Sequence, residues 1–573
     1  MLKRSVLSVE DAIKLNQDVV STFTRVAATI TTKKGVQEHT SKNKWFDKDC
    51  RNAKRIANQA ERKVDSHPHN QDYRNQLFLK SKEYRATKRA KRNSFLHEMN
   101  KKINGSGAID WNALKQLSDQ HKDAEQFDVY DLILFHKFFN DLYNKSCSKE
   151  SGHSSDLTHI PSDHHESVSQ LEVLNNNFSL PEIDDAIQKL KNNKSVSEDL
   201  ISNEMLKSLG QQFKLLLQKL FNECLQQGVY PWNNSITTPL HKKGDRQNPD
   251  NYRAITVGSC LGKLFSSLLL KRLLDFREVM CPDYPNQLGF RSGAQCNDHI
   301  LTLNTVIEKY VRHERRRLFT CFVDYRKAFD TVCRDALLFK LQQIGIKGNF
   351  FKCISYMYNH SSTRIKLIKK LSAAIDVTVG TEQGHPMSPE LFKLFIHDLS
   401  ARLDAIDELN LPVLNGFKVS HLLWADDLVL LALDEMSLQK LLDCLYEYAE
   451  RWELSINISK TNVMVFNTSS RLLKCAFGFK LGNIEVSPVR SYCYLGIQFS
   501  LNGSFKQATD FLRKKALRSF FSIRRILDTS ALTTSTMLKL VDSLVKPVAT
   551  YGCAGWVPST SVIKTLYCLR LPG

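Results

Sequence analysis

Apolar positions recur along this chain in two different periods, and the changes of period mark its segments. From residue 1 to about 145 the spacing is helical. Lys80, Lys82, Arg85, Lys88, Arg89, Lys91 and Arg92 crowd one stretch, which at helical spacing covers most of a helix surface rather than one face. Residues 146–179 are rich in Ser, Asp, Asn and His and read as a polar linker. From Leu180 the pattern tightens. Helices are predicted over 181–191 and 202–228, with Gly228 as the stop of the second. Thr237 to Asp245 reads as an extended piece entering a turn, and Asn251 to Val257 as a strand. A helix follows from Gly262 to about Arg277, with Leu264, Phe265, Leu268, Leu269 and Leu273 in register.

Beyond it, Leu318 to Tyr325 is a short apolar strand that reaches Asp324 near its end. Residues 391–406 form an amphipathic helix, with Ser388 as cap and Pro389 in the first turn. Two apolar runs flank Ala425-Asp426-Asp427 and predict a hairpin. A second amphipathic helix runs from Ser437 to about Trp452, and Val463 to Phe466 is a strand. Strand, helix, hairpin, helix, strand is the order of an α+β layer, with helices on one face of a mainly antiparallel sheet. The last part, from about 505, is helical and basic, with Lys506, Arg513, Lys514, Lys515, Arg518, Arg524 and Arg525.

Charge narrows the partner. Eighty Lys and Arg against 60 Asp and Glu leave +20, which favours a polyanion, and nucleic acid is the commonest one. The 14 cysteines include no CxxC pair and read as reduced thiols of an intracellular protein. Cys147, His153, His159, His164 and His165 have no compact ligand spacing, so no metal site is expected there. No apolar leader core follows Met1-Leu2-Lys3-Arg4, and no apolar run is long enough to predict a membrane span.

Two adjacent aspartates at the tip of an apolar hairpin need a reason. Burying either charge unpaired costs several kcal/mol, and each raises the other's pKa. A surface Asp-Asp turn is one answer. The other is a divalent cation, and carboxylates without His or Cys nearby favour Mg²⁺ over Zn²⁺. If the strand ending at Asp324 lies beside the hairpin, three carboxylates meet at one sheet end. Such a site suits two metals about 3.5–4 Å apart acting on a phosphoryl group.

The surrounding blocks are more specific than the aspartates alone. Phe322-Val323-Asp324-Tyr325-Arg326-Lys327-Ala328-Phe329-Asp330-Thr331-Val332 comes first, then Gly380-Thr381-Glu382-Gln383-Gly384-His385-Pro386-Met387-Ser388-Pro389-Glu390-Leu391-Phe392. Trp424-Ala425-Asp426-Asp427, Leu454-Ser455-Ile456-Asn457-Ile458-Ser459-Lys460-Thr461 and Tyr494-Leu495-Gly496 follow. In content and order they resemble the five palm motifs of non-LTR (LINE-type) retrotransposon reverse transcriptases. Upstream, Lys242-Lys243-Gly244-Asp245 with Asn251-Tyr252-Arg253, and Gln287-Leu288-Gly289-Phe290-Arg291-Ser292-Gly293, resemble that family's finger motifs.

The resemblance implies an RNA-directed DNA polymerase with a right-hand fold: fingers, a palm whose antiparallel sheet is backed by helices, and a thumb, with helical extensions at both ends. On this reading residues 1–145 are a basic helical extension and 146–179 a linker. Residues 180–317 are fingers and entry to the palm, 318–502 the palm, and 503–573 the thumb with a shortened C-terminal segment. The polymerase domain spans about 220–502. Asp324, Asp426 and Asp427 become the metal triad, joined by Val323, for two Mg²⁺ ions with Mn²⁺ as a substitute. Phe329 matches the position that screens the sugar 2′-hydroxyl, and Asp330 a structural position. Gln383 and Gly384 match the nucleotide-contacting loop, and Lys243 and Arg253 positions near the triphosphate. Lys460 matches the residue that protonates leaving pyrophosphate, and Arg291 contacts the template. The partners implied are an RNA template, a DNA primer and dNTPs.

There are departures from the pattern. Ala254 replaces the usual Pro, while Glu382 and His385 replace commoner residues, Glu382 adding a negative charge beside the nucleotide. Lys44-Trp45-Phe46-Asp47 resembles the segment between endonuclease and polymerase in such elements, and Tyr551-Gly552-Cys553-Ala554-Gly555-Trp556 the segment behind the thumb. A truncated protein is expected, with no endonuclease before residue 40, so that another chain would supply nicking. It is expected in nucleus and cytoplasm as a ribonucleoprotein, not secreted. The competing readings are a domesticated or decaying RNA-binding relative, an RNA-dependent RNA polymerase, and a group II intron maturase. The intact triad favours catalysis, Phe329 disfavours the RNA polymerase, and the segments around Trp45 and Trp556 disfavour the maturase.

Overall fold

The run Leu318-Phe319-Thr320-Cys321-Phe322-Val323 carries no charge and is buried at every position, as a central strand covered on both faces must be. The structure, a computed structural model, describes residues 9–31, 45–104, 110, 129–145, 168–368, 370–469, 471–472, 478–526 and 533–555. Residues 146–167 of the polar stretch, with Cys147 and the four histidines, and also Trp556, lie outside them.

The chain divides into two units. The first comprises Met1–Thr32 and Gln126–Ser504. Its strands are β1 (Asn234–His241), β2 (Tyr252–Gly258), β3 (Leu318–Val323), β4 (Ser362–Leu367), β5 (Lys370–Asp376), β6 (Val413–Leu414) and β7 (Phe417–Lys418). They continue with β8 (His421–Trp424), β9 (Asp427–Ala432), β10 (Asn462–Phe466), β11 (Lys480–Leu481), β12 (Ile484–Glu485), β13 (Ser491–Tyr494) and β14 (Ile497–Ser500). The central sheet has the order β10-β3-β9-β8 and is antiparallel throughout. A second sheet, β2-β1-β4-β5, contains one parallel pair, β1 with β4. Helices Gln211–Gln227, Cys260–Met280, Arg334–Gln343, Ser388–Phe395 and Glu435–Arg451 send Leu220, Phe265, Leu337, Phe392 and Leu441 into the same core as Cys321 and Leu430. Each such side chain contributes about 1.5–3 kcal/mol by leaving water. The fold is mixed helix and sheet, with its main sheet antiparallel.

The two apolar periods produced the elements but not all their ends. The helix predicted over 202–228 is two helices, Asn203–Lys207 and Gln211–Gln227, because Gly210 turns extended between them; Gly228 closes the second at φ +67°. The helix predicted over 391–406 starts earlier, at Ser388, and breaks at Ile396 before His397–Asp404. Ser388 does not cap it, since its hydroxyl donates to Glu382 O at 2.7 Å. Beneath this helix four charges interlock. Arg277 holds Asp283 at 2.5 Å and Glu390 at 2.5 Å, and Lys393 holds the same two acids at 3.2 and 3.3 Å. Each buried charge has its partners, as burial demands.

The second unit comprises Lys33–Glu125 and Phe505–Gly573. Helix Lys48–Ser66 is capped by Asp47 and packs along the long helix Gln71–Asn104, whose Lys91 Nζ reaches both Asp47 and Asp49 at 2.6 Å. Helix Lys506–Ile526 buries Ala516 and Ile523 against Leu540, Val541 and Val545, leaving Lys506, Lys514, Lys515, Arg518 and Arg524 exposed. Among the described residues no helix is long and apolar enough to cross a membrane.

Candidate active site

Strand register decides which carboxylates meet. In β3 against β9, Val323 is opposite Leu428, so Asp324, one step on, comes level with Asp427, one step back. In β10 against β3, Asn462 is opposite Phe322, which brings Lys460 to the same level on the other side. In β9 against β8, Asp427 is opposite Trp424. A row of Lys460, Asp324, Asp427 and Trp424 thus crosses the end of the sheet, with Asp426 in the turn beside it. That turn has only Ala425 and Asp426 at its apex, and Ala425 takes φ +57°, a left-handed conformation that costs a non-glycine residue about 1 kcal/mol.

The block Leu454–Thr461 fixes Asp324. Asn457 Nδ2 donates to Asp324 Oδ2 at 3.0 Å, and Lys460 Nζ stands 3.4 Å from the same oxygen. The Asp324 amide donates to Thr461 Oγ1 at 3.2 Å, and the Asn457 amide to Asp324 O at 2.7 Å. Burial raises Asp427 to about 7, with the charges of Asp426 and Asp324 adding to it. Asp426 is raised too, by burial and by Asp324, while Arg253 and Lys242 oppose the shift. Val323 is buried beneath the row.

Three oxygen-donor side chains, two of them held above the ordinary carboxylate range, suit a hard divalent cation, which would relieve their repulsion. Among the described residues, however, no three acids, imidazoles or thiols stand as a closed metal cluster, and Asp324 is engaged by Asn457 and Lys460.

The other expected residues divide. Arg253, on β2, lies near enough to act on Asp426, and Phe329 and Gln383 stand on segments packed together. The Phe329 ring stacks on Phe392 at 4.3 Å and 28°, meets Phe290 edge-on at 6.0 Å, and stays partly exposed. Gln383 O accepts from Thr256 N at 2.8 Å, and Gly384, at φ +114°, passes so close to β2 that a Cβ would lie 2.5 Å from Thr256 O. Lys243 is exposed, and its neighbour Lys242 is the lysine that feels Arg253, Asp330, Lys327 and Lys460. Arg291 is exposed in a turn.

Glu382 is half-buried, between Thr381 and Gln383. It lines an inner cavity with Tyr230, Lys263 and Tyr358, where burial raises it and Arg334 and Lys263 offset it. His385 lines the same cavity, 3.0 Å from Ser266 Oγ, and burial pushes it down to about 3. Of the three departures from the family pattern, Glu382 and His385 line this cavity and Ala254 is buried on β2. Lys242, Asn457 and Thr461 were missed by sequence reasoning. Asn457 and Thr461 stand inside one of the palm-like motifs, but their contacts with Asp324 cross more than a hundred residues.

Residues 240–499 match the family described as reverse transcriptase (RNA-dependent DNA polymerase). A probable RNA-directed DNA polymerase from transposon X-element of Drosophila melanogaster is 26% identical over 410 residues, 69% of this chain and 43% of the relative. The retrovirus-related Pol polyprotein from type-1 retrotransposable element R2 of Popillia japonica is 30% identical over 285 residues, 48% of this chain and 39% of the relative. This chain therefore spans less than half the length of either. Apo telomerase from Candida Tropicalis is similar over 59% of each chain, at 13% identity, with a TM-score of 0.35 that is too low to argue from. Residues 240–499 are a reverse transcriptase domain, similar to those of non-LTR retrotransposon RNA-directed DNA polymerases.

Proposed function

We propose that this chain copies RNA into DNA, as an RNA-directed DNA polymerase of a non-LTR retrotransposon built as fingers, palm and thumb. The observation that carries the reading is the row of Asp324 and Asp427, with Asp426 beside it, at one end of the central sheet. That sheet lies in the palm, the sheet β2-β1-β4-β5 joins strands β1 and β2 of the fingers to β4 and β5 of the palm, and helix Lys506–Ile526 is the thumb that holds the duplex by its phosphates.

Asp324, Asp426 and Asp427, with Val323 at the strand end, would hold two Mg²⁺ ions, or Mn²⁺ in their place. Such ions, when bound, supply Lewis-acid activation of a primer hydroxyl and of the phosphate it attacks. The chain's own groups do the rest. Arg253 and Lys243, joined by Lys242, bind the triphosphate, and Arg291 contacts the template. Lys460 holds a proton at Nζ for the departing pyrophosphate. Gln383 and Gly384 contact the nucleotide, and the exposed side of Phe329 faces its sugar.

Primer extension by purified protein on an RNA template, with dNTPs and Mg²⁺, tests the proposal. Chelator-sensitive extension is the expected result. Retention of RNA without extension, under any divalent ion, would leave a non-catalytic RNA-binding protein in its place.

A further inference from the structure

Asp330 is a buried carboxyl that the proposed chemistry does not use. It is 8% exposed, in a turn closed by its own amide on Lys327 O at 2.8 Å. The segment carrying Gln383 grips this turn from the other side. Gly380 N donates to Val332 O and Thr381 N to Phe329 O, both at 2.7 Å, and a Cβ on Gly380 would lie 2.6 Å from Asp330 O. Across this junction Gln383 donates from Nε2 to Asp330 Oδ1 at 3.2 Å. A cavity lined by Tyr143, Thr237, Thr256 and Thr363 lies behind the pair. The threonine hydroxyls bond one another, Thr237 to Thr256 at 3.1 Å and to Thr363 at 2.8 Å.

We propose that Asp330 is a positioning residue which fixes the flip of the Gln383 amide, and so which of its groups is offered to the incoming nucleoside triphosphate. The inference rests on the polymerase reading. The two ends of a glutamine amide have nearly the same shape but opposite hydrogen-bond character. Only a partner that accepts without donating, or donates without accepting, distinguishes them. An ionised carboxyl is such a partner, and a protonated one, which also donates, is not.

The charged and titratable groups around Asp330 are Lys327 in its own turn, Lys242 after β1, Arg253 on β2 and the neutral phenol of Tyr143 on helix Val129–Tyr143, with Glu382 lining the same cavity. Burial outweighs the three cations and holds Asp330 up to about 6. Above that pH the carboxylate selects one amide orientation. As pH falls through it, the selection fades.

Single-nucleotide extension with the full chain tests this. Asp330→Ala should raise KM for dNTP roughly tenfold, the size of one hydrogen bond, with kcat changed less than about threefold. Gln383→Ala should do the same, and the double variant no more than either. With Mg²⁺ saturating at every pH, wild-type KM should rise as pH falls through about 6, and Asp330→Asn, which keeps the volume and cannot titrate, should abolish that dependence. Additive single effects, loss confined to kcat, or a pH dependence retained in Asp330→Asn would overturn the proposal.

A readout free of catalysis separates this from the polymerase reading. In protein labelled with ¹⁵N-glutamine, the Gln383 side-chain amide, identified by its loss in Gln383→Ala, should shift with a midpoint near pH 6 in wild type and not in Asp330→Asn. If that shift occurs in a protein that extends no primer, the polymerase reading fails and the pairing stands. If extension occurs and the amide ignores pH, the pairing fails alone.

Discussion

Asp427 is pushed up to about 7 by burial, with Asp426 and Asp324 adding to the shift, so near neutrality a proton and a divalent cation compete for the same oxygens. Lowering the pH through 7 restores the proton and must weaken the metal. Mg²⁺ affinity should therefore be tighter at pH 8 than at pH 6, measured by calorimetric titration of the protein alone; equal affinities would remove Asp427 from the ligand set. Asp324→Ala, Asp426→Ala and Asp427→Ala should each lower extension by on the order of 10³-fold or more, because the three act as a unit. RNA retention on filters should not change, and full extension by the Asp324 or Asp426 variant would defeat the assignment. Phe329 has one side on Phe392 and another exposed. Core packing and sugar exclusion both predict reduced stability when the ring goes, but only exclusion predicts a changed substrate choice. Phe329→Val should raise the kcat/KM of rGTP relative to dGTP by at least about tenfold. A constant ratio, with both values falling, would make the ring a packing residue.

Among elements, the turn carrying Asp426 is held from outside the hairpin. Leu288 N donates to Leu423 O at 3.1 Å and Leu423 N to Asn286 O at 2.9 Å, so residues 286–288 lie along the open edge of β8. Gly289 follows, with its amide on Gln287 Oε1 at 2.8 Å. A Cβ there would stand 2.1 Å from the Ala425 amide nitrogen, a backbone atom that cannot yield without moving the turn. Gly289→Ala should therefore lower extension by roughly 10²-fold, the cost of misplacing a catalytic group by about an ångström, while far-ultraviolet circular dichroism stays native. Unchanged extension would show that the turn tolerates displacement.

The same elements show how far sequence reasoning reaches. β3 and β9 were readable because burial makes them short, nearly uncharged runs, and Asp-Asp between two such runs marked the hairpin. The break at Ile396 was not readable, since the buried apolar positions Leu391, Phe395, Leu399 and Leu403 keep the helical period on both sides of it. Lys460 was found by its motif, but its level with Asp324 depends on which strands pair, and local periodicity says nothing about pairing.

For the whole molecule, the excess of +20 should govern affinity for nucleic acid more than any single side chain. Log K should fall linearly with log salt. Reversing Arg85 and Lys88, or Arg513 and Lys514, to Glu should flatten the slope by about 0.7–0.9 for each phosphate that the protein no longer neutralises. A flat wild-type plot in fluorescence anisotropy would show that these helices do not meet phosphate. The strand order β10-β3-β9-β8 has a further consequence, for synthesis. Asp324 receives its amide partner, Thr461, from 137 residues downstream. At roughly 5–20 residues per second, translation takes about 7–30 s to cover that distance. Throughout it β3, an uncharged strand, has no β10 to close its edge, the kind of segment that sticks to other chains. A nascent chain therefore keeps one edge of its central strand open until β10 emerges, an interval in which neighbouring chains on one polysome can pair with it.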